Sequence, residues 1–363
     1  MNSVFIFLIA AVVFIVNLAA EADDNKCKAS AIQPLDNISE YADYLRDSKN
    51  QQRSLFNKTS WMGSSPNEAQ SCNNTYSKLL EDNKIDIHFV FGYHDTMGSG
   101  GVTSTIDQRY FSDLFAALTR ECSAKTRAVC GFTYFSSKSY ENVRYLEKIV
   151  NISKNGKLQP MTIAVTMAYS SASSSDSKNL NSSTQKKYSQ NAEDLFFGGI
   201  KGDQKSCEIC VYYGHARAGG GPDFSPVPLD WRDSVGEPNY SIFKKKRPGY
   251  LKMLYSLRDA VKKPSLVGIY GCRSRPLFWK EAICLEDKNS SCQKTSLANF
   301  KDQTGFIVSN ELSCPQNNGA MIGSLFDMIV NFKCRSDFDE TMGSLRKLPE
   351  VLKEDYVIEG NFL

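Results

Sequence analysis

Apolar and polar positions along this chain fall into blocks that switch between a period of two and a period near 3.6. Ile85-Asp86-Ile87-His88-Phe89-Val90-Phe91 alternates and then fills in, as a buried strand does, and leads toward a glycine-rich loop, Gly98 to Gly101. Thr105-x-x-Gln108 has the form of a capping box, and Tyr110, Phe111, Leu114, Phe115 and Leu118 follow it as the stripe of an amphipathic helix. The pattern then predicts a strand over 129–135, a helix over 140–150 and a strand over 161–167. A serine-rich stretch, 170–189, reads as a mobile loop, followed by a short helix over 192–200 and a strand over 208–213. A helix carrying Tyr250, Leu251, Leu254, Leu257 and Val261 stops at Pro264. Apolar strands over 266–270 and 305–309 precede a last helix through Met321, Ile322, Leu325, Phe326 and Ile329. Strand and helix in alternation predict an α/β fold: a mostly parallel sheet with helices on both faces.

The ends of the chain differ from this middle. Residues 1–20 form an apolar run broken by Asn17, and acidic, polar sequence follows, so residues 1–22 read as a secretory signal peptide cleaved after Ala20-Glu21-Ala22. No Lys or Arg precedes the run, which leaves a retained membrane anchor as the alternative; no other segment is apolar enough to span a membrane. Residues 23–80 are polar and irregular, an N-terminal extension; 81–335 form the α/β domain, and 336–363 read as a C-terminal helical tail. The 363 residues include 43 Lys and Arg against 40 Asp and Glu, a net charge of +3, which gives nucleic acid no electrostatic footing.

Eleven cysteines lie beyond the leader, as expected of an exported, disulfide-bonded protein in a secreted or periplasmic setting. Pairs close in sequence, Cys122 with Cys130 and Cys284 with Cys292, could close small loops, and an odd count leaves one thiol over. Cys207-x-x-Cys210 opens a strand rather than a helix, and three histidines with no second CxxC leave a zinc site short of ligands, so structural pairing is expected. No metal or cofactor is expected. The glycines at 98–101 lack the Gly-Lys-Ser/Thr of a phosphate loop, Lys244 to Lys246 read as a solvated loop, and seven Asn-x-Ser/Thr sequons carry little weight in a chain rich in Asn and Ser.

The chemistry concentrates at two strand ends. In doubly wound sheets reacting groups sit just beyond the carboxyl ends of strands. One strand runs into Gly214-His215-Ala216 and a glycine-rich turn ending in Asp223; the other, ending in Tyr270, runs into Gly271-Cys272-Arg273-Ser274. If the two are neighbours, a thiol faces an imidazole, which is a nucleophile with a general base. The backbone N–H groups of Cys272 and Ala216 could then bind an oxyanion, the equipment of acyl transfer. His88, inside a strand, is expected to be a satisfied core histidine, and His94-Asp95 a hydrogen-bonded loop.

These residues resemble the cysteine peptidases of the caspase–hemoglobinase fold, which include caspases, metacaspases, legumain, gingipains and clostripain. The resemblance covers about residues 85–332: a strand-end His, then a small residue and Cys at the end of the next core strand 57 residues later, then 305–311 resembling the final core strand beside the substrate cleft. It implies an endopeptidase acting on peptide or protein substrates, with Cys272 as nucleophile and His215 as base. Two departures are visible. Ala216 stands where the family usually has Gly, and Tyr270 stands where arginine- and lysine-specific members often carry an acid. Substrate contacts are therefore expected from Tyr270, with Asp95, Asp223 or Glu311 as the acids that could serve a basic residue. The competing expectation is a catalytically inactive, disulfide-rich secreted binding protein on the same fold.

Overall fold

The structure is a computed structural model that describes residues 66–94, 106–122, 128–154, 157–203, 206–234, 236–286, 291–310, 315–336, 338–339 and 356–362. The leader, Cys27, the glycines at 98–101, Asp95, Thr105, Glu311 and Cys314 lie outside the described residues.

The described chain is an α/β fold on an eight-stranded, mixed and mostly parallel sheet. Its strands are β1 (Lys84–Phe91), β2 (Thr133–Tyr134), β3 (Val143–Lys154), β4 (Lys157–Tyr169), β5 (Ile209–Tyr213), β6 (Leu266–Tyr270), β9 (Gly305–Ser309) and β10 (Tyr356–Glu359). They are ordered β10-β9-β6-β5-β1-β4-β3-β2, with five parallel strands in the middle and antiparallel strands at both edges. A separate hairpin, β7 (Ile283–Glu286) and β8 (Cys292–Thr295), is joined by Cys284–Cys292. The helices are α1 (Pro66–Leu79), α2 (Ile106–Thr119), α3 (Ser183–Glu193), α4 (Tyr240–Lys246), α5 (Pro248–Asp259) and α6 (Pro315–Val330).

Strand parity sorts the core into two layers, because successive side chains point to opposite faces. Ile87, Phe89, Phe91, Val211, Tyr213 and Tyr270 pack on one face with α1, α2 and α6. Val90, Cys210, Tyr212, Val267 and Ile269 pack on the other with α5 and the turn after α3. Burial on both faces explains why the central strands read as nearly continuous apolar runs.

Several expectations need correction. The stretch 140–150 is not helix: from Val143 on it is strand, and β3 pairs antiparallel with β4 from Val143↔Ala168 to Lys154↔Lys157. Val143, Leu146 and Val150 have helical spacing, but β-branched residues and a partner strand decide the outcome. The stretch 129–135 yields only the short, exposed strand β2. The serine-rich segment holds a one-turn helix, Asp176–Asn179, and α3, whose N-cap Ser182 accepts from the Gln185 N–H at 3.2 Å. Two of its polar side chains, Gln185 and Ser189, are buried and paired: Gln185 Nε2 donates to the Ser170 carbonyl at 2.8 Å and to Ser189 Oγ at 2.9 Å. The lysines at 244–246 end helix α4, with Lys246 over the Trp231 ring at 4.4 Å.

The tail read as helical contributes β10, which pairs antiparallel with β9. The N-terminal extension contributes α1, whose Tyr76 hydroxyl lies 2.9 Å from the Met328 carbonyl and 2.8 Å from that of Lys333. Beside it Cys72 is bonded to Cys334, so residues from both flanks belong to the core.

At the opposite, amino-terminal end of the sheet, Glu208 accepts the Asp86 N–H at 3.2 Å and faces Lys262 at 3.4 Å. Burial is the main cause that pushes its carboxyl up to about 7. The folded protein therefore binds this proton more tightly than the unfolded chain does, and stability should fall as pH rises from the unfolded value near 4.5 through 7. Glu208→Gln keeps an acceptor for Asp86 and removes the titration. Urea midpoints for the two proteins should agree near pH 4 and favour the variant at pH 8; a constant difference across that range would refute this.

Candidate active site

β5 and β6 are adjacent and parallel, with Tyr213 paired to Tyr270, and the Gly214 N–H donates to the Tyr270 carbonyl at 3.1 Å. His215 and Cys272 thus each leave the sheet two residues beyond a paired tyrosine. Only small residues allow this approach: a Cβ on Gly271 would lie 2.9 Å from the Gly214 carbonyl oxygen and 3.4 Å from the Ala216 nitrogen. Both His215 and Cys272 are half-buried, and Cys272 is outside the disulfides formed among the described residues.

The loop carrying His215 is tightly held. Ala216 has φ −76° and ψ −14°, ordinary for an L-residue, so the alanine in place of glycine fits. The left-handed turn falls on Arg217 (φ 48°), Ala218 (φ 50°) and Gly219 (φ 90°), and the two side-chain-bearing residues there store about 1–3 kcal/mol each. Gly219 and Gly221 N–H groups donate to the Ala216 carbonyl at 2.9 and 3.0 Å. Below the loop, the Tyr212 hydroxyl donates to the His215 carbonyl at 3.0 Å and accepts the Asp223 N–H at 3.1 Å. Arg217, with a side chain 1% exposed, donates from Nε to Asp223 Oδ2 at 3.0 Å.

The turn carrying Cys272 has Arg273 at φ 51° and is pinned by Ser274. Its Oγ donates to the Ile269 carbonyl at 2.9 Å and accepts the Ser309 N–H at 2.8 Å, joining β6 to β9. Next to it, Arg275 donates to Glu359 of β10 at 2.6 Å and to Asn310 at 3.1 Å.

Electrostatics favour a neutral imidazole. Burial, then the Arg217 guanidinium, then His94, hold His215 well below its ordinary value. Burial raises the Asp223 carboxyl, and the Arg217 charge opposes that rise.

The expected substrate residues fare differently. Tyr270 is 1% exposed, packed in the core between Phe89 and Tyr356, with its hydroxyl buried and without a partner among the described residues. Burial raises its phenol far above the usual range. Asp223 is engaged by Arg217. Asp95 and Glu311 lie outside the described residues. Ala216 is buried, and its N–H donates no hydrogen bond among the described residues. Elsewhere His88 is the expected core histidine, its Nδ1 2.8 Å from the Leu195 carbonyl. Sequence reasoning missed three neighbours of His215: Tyr212, Arg217 and the ring of His94. Arg217, two residues past His215, was the most visible of them.

Four disulfides, Cys72–Cys334, Cys122–Cys130, Cys207–Cys210 and Cys284–Cys292, mark an oxidising, extracytoplasmic environment. The two short-range pairs and the structural CxxC are those expected. Among the described residues no helix is long and apolar enough to cross a membrane, and no group of three or more His, Cys, Asp or Glu is placed to hold a metal ion. Comparison with known protein families and with curated proteins finds no match to this chain.

Proposed function

We propose that this chain is an exported cysteine endopeptidase of the caspase–hemoglobinase type. His215 takes the Sγ proton of Cys272, and the thiolate attacks the scissile carbonyl carbon. The imidazolium then returns the proton to the leaving amine, and water, activated by the same imidazole, hydrolyses the acyl-enzyme. The N–H groups of Cys272 and Ala216 are the donors for the oxyanion. The observation that carries this reading is the register of Tyr213 with Tyr270 on adjacent parallel strands, from whose ends the two groups leave the sheet. The Ala216 N–H, which has no acceptor among the described residues, and the neutral His215 support it.

With Tyr270 buried and Asp223 engaged by Arg217, no strong preference for Arg or Lys at P1 is expected unless Asp95 or Glu311 supplies the charge. The test is alkylation of the native protein with peptide mapping, beside cleavage of a P1-diverse peptide library. Cys272 should carry the label, and Cys272→Ala should reduce cleavage about a thousandfold or more. Absence of Cys272-dependent cleavage of any peptide would favour the inactive binding protein instead.

A further inference from the structure

Successive side chains of β3 point to opposite faces of the sheet, so Val143, Ile149 and Asn151 share one face while Leu146 and Val150 share the other. Leu146 and Val150 pack in the layer with α1, α2 and α6, and Val143 packs in the layer with α5. Farther along the strand the second layer runs out. Ile149 is 71% exposed and Asn151 is exposed; of the β4 residues paired with them, Thr162 is half-buried and Pro160 exposed. None of these four belongs to either core layer. The same stretch has an open edge: β2 is the outermost strand and pairs only with Leu146 and Glu147, so 148–154 have no partner strand on their outer side among the described residues. An apolar residue on an unpaired edge invites another chain, and folded proteins cover or blunt such edges.

Asn151-Ile152-Ser153, on this same stretch, is an acceptor sequence for an Asn-linked saccharide, which is bulky and polar. A sequon alone says little in a chain rich in Asn and Ser; its setting decides. Asn151 stands two residues from Ile149 on one face, about 7 Å along the strand. The other described sequons lack that setting. Asn73 lies within α1 with its Oδ1 buried, Asn239 caps α4 by accepting the Ser241 N–H at 3.1 Å, and Asn181 is exposed in a turn with φ 65°, away from any strand edge. Asn37, Asn57 and Asn289 lie outside the described residues.

We propose that Asn151 carries an Asn-linked saccharide, and that this saccharide covers Ile149 and the open edge of β3. In the transfer, Nδ2 of Asn151 bonds to the anomeric carbon of a saccharide held on a lipid diphosphate. The bond from that carbon to the diphosphate oxygen breaks, the lipid diphosphate leaves, and one amide proton passes to a base of the transferring enzyme. The four disulfides already mark the chain as extracytoplasmic, where such a group is displayed. A second copy of this chain is the competing cover, and the lysines weigh against it. Antiparallel pairing of two β3 edges about Asn151 would set Lys148 of each opposite Lys154 of the other, and like charges directly opposite destabilise a ladder.

A peptide map of the protein secreted from eukaryotic cells tests the site. Trypsin releases residues 149–154 as one peptide, and peptide-N-glycanase in heavy-oxygen water converts a glycan-bearing Asn151 to an isotope-marked Asp. That mark should appear in most copies of the peptide. An Asn151 found mainly unmodified would overturn the inference, whatever the other sequons carry. Sedimentation velocity tests the cover. Ser153→Ala, which removes the sequon and keeps Asn151, should self-associate as concentration rises, while Ser153→Thr, which keeps the sequon, should behave as the wild type. Adding Ile149→Thr to Ser153→Ala should restore the monomer. A Ser153→Ala protein that stays monomeric at every concentration where the wild type does would show that this edge needs no cover. Should Ser153→Ala fail to be secreted, wild type and Ile149→Thr deglycosylated after folding carry the comparison, and only the former should associate. Neither readout involves Cys272, so the result stands apart from the peptidase reading.

Discussion

Replacing Cys72 and Cys334 together by serine is expected to lower the stability of the protein by about 4 kcal/mol. The two residues are 262 positions apart, so their bond closes most of the described chain into one loop and restricts the unfolded ensemble accordingly. Both are fully buried, α1 supplying one partner and the segment after α6 the other. The serines would also bring hydroxyls into an apolar layer that contains Tyr76, Phe332 and Phe338. Equilibrium urea unfolding of the oxidised proteins measures the difference. A loss below ~1 kcal/mol would mean that α1 is held by packing alone and that the bond restricts little in the unfolded chain.

Arg217→Met is the second large effect, and it acts at the candidate site. Arg217 and Asp223 form a buried pair with side chains 1% and 17% exposed. Removing one member of such a pair costs about 3–5 kcal/mol, because the remaining charge is left without compensation. Burial already raises the folded-state value of Asp223, and only the Arg217 charge and local hydrogen bonds oppose it. Losing the guanidinium raises it further above the unfolded value, so the folded variant binds a proton that the unfolded chain releases. The deficit should therefore be greatest near neutral pH and shrink as pH falls toward 4. Arg217→Met/Asp223→Leu should recover much of the loss, since an apolar pair of similar bulk can replace a buried ion pair at little cost. Unfolding measured across pH for the three variants tests this; equal losses for the single and double variants would show that Arg217 acts through its packing over Phe243 and not through Asp223.

Legibility in the sequence followed locality. β1, β5, β6 and β9 could be read almost to the residue, because burial on both faces leaves an apolar run and the close approach of strand ends demands Gly214 and Gly271. β3 could not, since Val143, Leu146 and Val150 satisfy a helical period and only the partner strand 157–169 settles the matter. The serine-rich stretch misled for a related reason: Gln185 and Ser189 are buried with partners, and composition does not record partners. His215 and Cys272 are visible as strand-end residues; His94 reads only as a hydrogen-bonded loop residue after the first strand, because its neighbour His215 lies 121 positions away. Tyr270 was placed at the substrate by its distance from Cys272. Strand parity aligns it with Leu266 and sends its ring into the core.

The tie between Arg275 and Glu359 has a temporal side. An exported chain reaches its destination amino-terminus first, and β10 is the last strand in chain order. The turn bearing Cys272 is therefore complete in sequence well before the strand that anchors Arg275 has arrived. The support under the turn that carries Cys272 thus depends on residues 356–359, which come after every other described strand in chain order.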